Sequence, residues 1–596
     1  MNRRRFLRSA GLGAAAFLSG CRAATTRAGR TAAGAETRRA HVPAAAGPAP
    51  RPSEPPNIVL IMSDDMGYSD LGCYGGEIET PTLDGLADRG VRFTQFYNTA
   101  RCCPTRASLI TGLYQHQARV GHMMGDRHLP GFRGDLGTNA VTIAEVMKSA
   151  GYGTYMSGKW HVTPYRGPDT PKHNWPRARG FDRFFGTIHG AGSFYDPNSL
   201  ARDNEFIPPG EDFYYTDAIS DNAATYIRDH ARKKPDDPLF MYVAYTAAHW
   251  PMHARPEDIA RYKGAYDGGW QEIRQARYKR MRRMGLLKEQ WDLSPRDARL
   301  WKDISEEDKK WHARRMEVYA AMVTVMDSGL GRIVEALKET GRYENTLILF
   351  LQDNGGCAEE FGSHGKPRPH AKNVKAEPMD PDALQTHMVP PVTRDGKPLR
   401  VGHGVMPGPA DTYIAYGREW ANVSNTPFRL YKHWVHEGGI ATPLIAHWPA
   451  GIPTDRHGAM ERQPGHLIDL MATCADLGRA AYPETFKGNA ITPMQGTSLV
   501  PAFAGADVGR EEPIYFEHEG NRAIRDGKWK LVAKGAGGPW ELYDMEADRS
   551  ELSDLASEHP DRVRAMAERW ETFARQAHML PWPWKGKYAA KKDKKK

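Results

Sequence analysis

The chain of 596 residues has only six cysteines, and none sits in a CxxC pair. That is too few for a disulfide framework and has the wrong spacing for a zinc ribbon or a redox motif. No apolar run past the first 20 residues is long enough to span a bilayer. A basic folded body is missing as well. The formal net charge of +9 is carried by the ends: residues 1–51 hold ten Arg against one Glu, and Lys585–Lys596 holds seven Lys against one Asp. The segment between them is net negative, so no basic face for nucleic acid is expected. No internal repeat is visible. What the chain does have is 40% hydrophobic and 10% aromatic residues, enough for a large soluble core.

The N-terminus, MNRRRFLRSAGLGAAAFLSGC, has a basic start, a short apolar stretch and small residues before Cys21. It reads as a cleavable export signal, too short for a transmembrane helix. Arg3–Arg8 resembles a twin-arginine signal, and Leu18-Ser19-Gly20-Cys21 resembles a bacterial lipobox in which Cys21 is lipidated. The expected location is therefore exported: periplasmic, or anchored to a bacterial membrane as a lipoprotein. Residues 22–55, rich in Ala, Pro, Arg and Thr, read as a flexible linker. The Lys-rich end, 585–596, reads as a solvated tail.

Four continuous apolar runs end abruptly in polar residues. NIVLIM (57–62) leads to Ser63-Asp64-Asp65, and TLILFL (346–351) leads to Gln352-Asp353-Asn354. Leu239–Tyr245 leads to His249, and Tyr152–Ser157 leads to Gly158-Lys159-Trp160-His161. Continuous rather than alternating runs predict strands buried on both faces, as in a parallel sheet. Helical patterns lie between them, including a capping-box spacing at Thr142–Glu145 and an amphipathic stretch over 316–337. The predicted class is α/β: a large mixed sheet sandwiched by helices, spanning 56–500. From 501 to 584 short runs separated by turn residues predict a small antiparallel sheet followed by a charged helix over 558–578. The segment 261–311, rich in Arg, Lys and Trp, is expected to be a surface helical insertion or to shape a substrate entrance.

In such folds ligands bind beyond the C-terminal strand ends, where the polar groups fall. Asp64-Asp65 and Asp353-Asn354 are oxygen-only donors suited to a hard divalent cation, Ca²⁺ or alternatively Mg²⁺, rather than Zn²⁺. Cys102-Cys103-Pro104-Thr105-Arg106 opens a helix pattern that runs to Thr111-Gly112. Cys102 is expected just before the helix N-terminus, where N–H groups and the dipole favour anions, with Arg106 as a cationic fork. Each of these residues alone has an ordinary reading as a cap, a buried thiol or a solvated charge.

Together, and in this order, they resemble the type I formylglycine-dependent sulfatases of the alkaline phosphatase superfamily, whose signature is Cys-x-Pro-x-Arg followed by Thr-Gly. The likeness covers roughly residues 56–580. It implies that Cys102, not Cys103, is converted to Cα-formylglycine by a formylglycine-generating enzyme, before folding buries the loop. Thr105 replaces the more usual Ser. The resemblance implies Asp64, Asp65, Cys102, Asp353 and Asn354 as metal ligands. Lys159 and His161 match the family's Lys-x-His, His249 the histidine near the leaving group, and Lys432 the second sulfate-binding lysine. The implied catalytic set is Cys102, Arg106, Lys159, His161, His249 and Lys432. The implied reaction is hydrolysis of a sulfate monoester, aryl or carbohydrate, with sulfated polysaccharide a candidate substrate outside the cell. Two alternatives are a phosphonate monoester hydrolase or phosphodiesterase of the same superfamily, and a lipoprotein that binds sulfated glycan without hydrolysing it. Ser193 is a further candidate contact, and His116, His436 and His518 are unassigned.

Overall fold

The four apolar runs become neighbouring parallel strands in a computed structural model that describes residues 54–583. The signal-like Met1–Cys21 with its lipobox, nearly all of the linker, and the Lys-rich tail lie outside the described residues. The long strands of the main sheet are β1 (Asn57–Ser63), β2 (Val91–Tyr97), β3 (Gly153–Gly158), β4 (Arg183–Thr187), β5 (Leu239–Ala244), β6 (Thr346–Gln352) and β7 (Ala441–His447). Their order is β2-β7-β6-β1-β5-β3-β4, within a sheet of eleven strands. From β6 to β4 all pairs are parallel, and β7 is antiparallel to both its neighbours.

Burial on both faces explains the absence of alternation. Val59 and Ile61 of β1 enter one core with Met241, Val243, Ile348 and Phe350. Ile58, Leu60 and Met62 enter the opposite core with Phe240, Tyr242, Leu347 and Leu349. The second core is closed by α1 (Cys102–Thr111) and α2 (Ile143–Ser149). The predicted capping box opens α2: Thr142 Oγ1 accepts from Glu145 N at 3.1 Å, and Glu145 Oε2 accepts from Thr142 N at 2.9 Å.

The first core is closed by α3 (Tyr215–Lys233), α4 (Gly269–Arg283) and α5 (Glu306–Glu339). Helix α5 starts ten residues before the apolar stripe that predicted it. The Ser305 side chain accepts from Asp308 N, and three acids occupy the first turn, so cap and dipole start the helix where packing does not. Helix α4 corrects the expectation of a surface insertion. Its Trp270 and Met281 join the core, and its Arg277 is fully buried against Asp70 at 2.6 Å and Glu77 at 2.7 Å. A run of charge reads as solvated in sequence when the acids that bury it lie 200 residues away.

The small sheet consists of β8 (Ile514–His518), β9 (Asn521–Asp526), β10 (Trp529–Ala533) and β11 (Glu541–Asp544), all antiparallel. Its pleat divides cleanly. Phe516, Ala523, Val532 and Tyr543 enter the core shared with β1. Tyr515, Ile524, Leu531 and Leu542 pack with Trp570 and Ala574 of α6 (Pro560–Gln576).

Candidate active site

Strands β6, β1, β5 and β3 are adjacent and parallel, so their C-terminal ends deliver their polar residues to one place. Asp64 and Asp65 follow β1, Asp353 and Asn354 follow β6, Lys159 and His161 follow β3, and His249 follows β5. Asp65 N donates to Asp353 Oδ1 at 3.2 Å, and Asn354 Nδ2 to Asp65 Oδ1 at 2.7 Å, so the two oxygen-rich pairs are in contact. Lys432 arrives from the loop before β7, its Nζ 2.7 Å from Asp65 Oδ1.

Cys102 is the first residue of α1, one position later than the sequence pattern placed it, with Arg101 as the extended N-cap. Pro104 falls in the first turn, where its missing N–H has no intrahelical partner to lose. Every residue of α1 is buried, so this helix start faces an interior rather than solvent. The sulfur of Cys102, that of Cys103 and a His161 ring nitrogen lie within 4.8 Å of one another.

Three acids and three cations are interleaved. Arg106 Nη2 is 2.8 Å from Asp353 Oδ2 and 3.4 Å from Asp64 Oδ2. Lys159 Nζ bonds Asp64 Oδ2. Burial pushes the Asp64 and Asp353 carboxyls up, opposed by Lys159 and Arg106 for Asp64 and reinforced by the Asp64 charge for Asp353. Burial acts on Asp65 too, but Lys432 and His249 outweigh it and hold Asp65 below the usual carboxylate range. The hydrogen bond from Cys103, then Lys159, His161 and Lys432 against the opposing effect of burial, hold the Cys102 thiol well below its ordinary range. Burial pushes His161 down, and His249 down to about 4.

Several groups have valence left over. Asp64 Oδ1, Asn354 Oδ1, Arg106 Nε and His161 Nδ1 are buried with no hydrogen-bond partner among the described residues. Asp65 and His161 both sit at φ 59°, outside the range most residues adopt. Oxygen donors only, two of them unpartnered, with the Asp64 and Asp353 carboxylates destabilised as anions by burial, fit a hard divalent cation held by Asp64, Asp65, Asp353 and Asn354.

Sequence reasoning missed three neighbours. The Cys103 sulfur lies 3.1 Å from His161 Nε2. Glu359 accepts from Arg101 at 3.1 Å and from Trp250 Nε1 at 2.8 Å, and despite burial Lys432 and Arg101 hold its pKa down at about 2. His189 stands 6.1 Å from the His161 ring, and burial pushes it down to about 4. None of the three belongs to a motif; only the spacing of Cys103 from Cys102 was available as a signal. Ser193 accepts from Tyr195 N at 3.2 Å and shapes its own loop. His116 and His436 contact the small sheet through Glu517 at 2.6 Å and Glu541 at 3.2 Å.

A sulfatase family model matches residues 56–480. This chain belongs to the sulfatase family. An uncharacterized sulfatase of Schizosaccharomyces pombe is 30% identical over 89% of this chain and 95% of its own length. An arylsulfatase of Klebsiella aerogenes is 31% identical over 75% of this chain and 91% of its own. The crystal structure of Ps i-CgsB in complex with k-i-k-neocarrahexaose superposes with a TM-score of 0.60 at 26% identity, covering 89% of this chain and 95% of that one. The sulfatase shares its fold, a large mixed sheet with a small antiparallel sheet, with Ps i-CgsB.

Proposed function

We propose that this sulfatase hydrolyses sulfate monoesters through a formylglycine made from Cys102, with a divalent cation, Ca²⁺ or Mg²⁺, held by Asp64, Asp65, Asp353 and Asn354. The observation that carries the reading is the convergence of three acids and three cations on a buried helix start that presents Cys102. Hydrated formylglycine supplies one hydroxyl to attack sulfur and a second whose deprotonation releases sulfate. The cation supplies charge stabilisation at the sulfate oxygens.

The chain's own residues do the rest. Arg106, Lys159 and Lys432 hold the sulfate oxygens, the preorganised electrostatic contribution that is usually largest. Buried and already paired with carboxylates, they need little reorganisation to do so. His161 faces position 102 and takes the proton from the second hydroxyl. His249 donates from Nδ1 to Trp250 O at 2.6 Å, which leaves Nε2 turned to the site, 3.4 Å from Asp65 Oδ2. Burial keeps that ring neutral near pH 7 before substrate arrives. The negative charge of a bound sulfate ester raises its proton affinity, and Nε2 passes the proton to the leaving oxygen.

A carbohydrate sulfate is the substrate class we favour, supported by the neocarrahexaose bound to the similar Ps i-CgsB. Export, with Cys21 as a lipid anchor, is supported by the twin-arginine and lipobox patterns and would place the enzyme before polymers outside the cell. Mass spectrometry of the tryptic peptide 102–106 tests the mechanism: conversion of thiol to aldehyde at Cys102 is expected, and an unmodified thiol in fully active protein refutes it. Rates on an aryl sulfate, a phosphate diester and a phosphonate monoester test the reaction class. A faster phosphonate or diester reaction would move the protein to that branch of the superfamily.

A further inference from the structure

A second cluster of ligating side chains lies outside the proposed catalytic set. The turn between β8 and β9 carries His518 and Glu519, and the residue after Lys432 is His433. One donor atom from each of His433, His518 and Glu519 lies within 4.8 Å of the others. His433 Nδ1 is 3.0 Å from Glu519 Oε2, and His518 Nε2 is 4.0 Å from Glu519 Oε1. A third imidazole, His122, holds Glu519 Oε1 at 2.5 Å and stacks on the His518 ring at 5.8 Å and 9°.

His518 does not fit a purely structural role. Its side chain is fully buried, yet neither ring nitrogen has a hydrogen-bond partner among the described residues. A buried imidazole without partners has lost its hydrogen bonds to water and gained none in return. Burial pushes its pKa well down against the opposing pull of the Glu519 carboxylate. His433 is also held in unusual backbone, at φ 90°, while Glu519 at φ 51° belongs to the two-residue turn Glu519-Gly520 between the paired His518 and Asn521.

The geometry points to a second metal site, formed by His433, His518 and Glu519, for a borderline divalent transition ion of the Zn²⁺ or Co²⁺ class. Two imidazoles and one carboxylate suit such an ion and suit Ca²⁺ or Mg²⁺ poorly, which distinguishes this set from the all-oxygen set at Asp64. Donors already this close need only side-chain movement to reach an ion at about 2.0–2.2 Å. His122 orients Glu519 from outside the ligand set, and the Asn521 carboxamide, 3.3 Å from His433 Nε2, orients that ring. Water completes the coordination, since His433 and Glu519 keep 26% and 14% of their side-chain surface exposed. The ion would tie the small sheet to the loop carrying Lys432, whose next residue, His433, donates from its backbone N to Ala100 O at 2.8 Å beside the catalytic helix.

The test uses whole protein stripped of metal and then saturated with Ca²⁺, so that the oxygen site is filled. Titration with Co²⁺, read by its visible absorption, and with Zn²⁺, read by elemental analysis after dialysis, should each show one further equivalent with micromolar or tighter affinity. His518→Ala and Glu519→Gln, each shown folded by circular dichroism, should weaken binding at least tenfold. Asp353→Asn should retain it. Zn²⁺ should raise the Tm of the wild type and not that of His518→Ala. Absence of a further equivalent in the wild type, binding that survives both His518→Ala and Glu519→Gln, or binding lost in Asp353→Asn would each overturn the site. Run in a Cys102→Ala, Cys103→Ala background, which removes the thiols of the Cys102, Cys103 and His161 group, these outcomes do not depend on whether Cys102 is converted.

Discussion

Asp65 and Asp70 are five residues apart, both fully buried and both paired with a cation, yet they belong to opposite kinds of charge cluster. Around Asp70 every valence is closed. Arg277 binds Asp70 Oδ1 and grips both oxygens of Glu77, while Gly67 N and Tyr319 Oη, each at 2.7 Å, fill Asp70 Oδ2. Around Asp65 the charges are balanced but the valences are not. Asp64 Oδ1, Asn354 Oδ1, Arg106 Nε and His161 Nδ1 lack partners among the described residues, and two residues hold φ near 60°. Burial and charge pairing therefore do not distinguish a working site from a structural one. Between these two clusters the difference lies in the unfilled donors and acceptors.

The largest separation between the two clusters is expected from Cys102→Ala. Turnover of an aryl sulfate should fall by more than about 10⁴-fold, while Tm stays within a few degrees of wild type; near-normal rates would detach the open cluster from catalysis. Lys159→Ala should cost ~10²–10³ in kcat, measured under saturating substrate. Arg277→Met should do the reverse. Removing one partner of a buried pair costs about 3–5 kcal/mol of stability, read by denaturant unfolding, with kcat per folded molecule unchanged. A catalytic defect in folded Arg277→Met would erase the contrast.

Acid sharpens the contrast by a smaller amount. His249 has a folded pKa of about 4, below its unfolded 6.5, so its contribution to stability is complete above pH 6.5 and declines as pH falls toward 4. The loss is on the order of 3 kcal/mol, and His249→Gln should flatten that part of the curve. Glu77 is held below its ordinary 4.5 by Arg277 against burial, so its contribution is present above pH 4.5 and disappears only below it. Glu77→Gln should leave the window from pH 6.5 to 4.5 unaltered, as followed by Tm against pH.

The parallel strands were legible because double burial writes itself as unbroken apolar runs, and the small sheet because turn residues separate its short runs. Thr142–Glu145 was legible because a capping box is local. The candidate site was legible as far as each residue lay at a strand end or in the Cys102–Arg106 motif. What could not be read depends on partners far along the chain. Arg277 looks solvated until Asp70 and Glu77 are placed beside it. His518 looks like any of 23 histidines until the β8–β9 turn meets His433 and His122. Glu359 has no pattern around it at all.

The pairing of Asn57 with Thr346 sets a clock for this protein. β1 cannot dock against β6, and the Asp64 and Asp353 carboxylates cannot meet, until the ribosome has added about 250 residues beyond Cys102. At roughly 5–20 residues per second, that is about 12–50 s during which the thiol travels on an unfinished chain. Contact order, usually a tax on folding rate, here holds open an interval in which solvent can reach a side chain that the finished fold leaves 2% exposed.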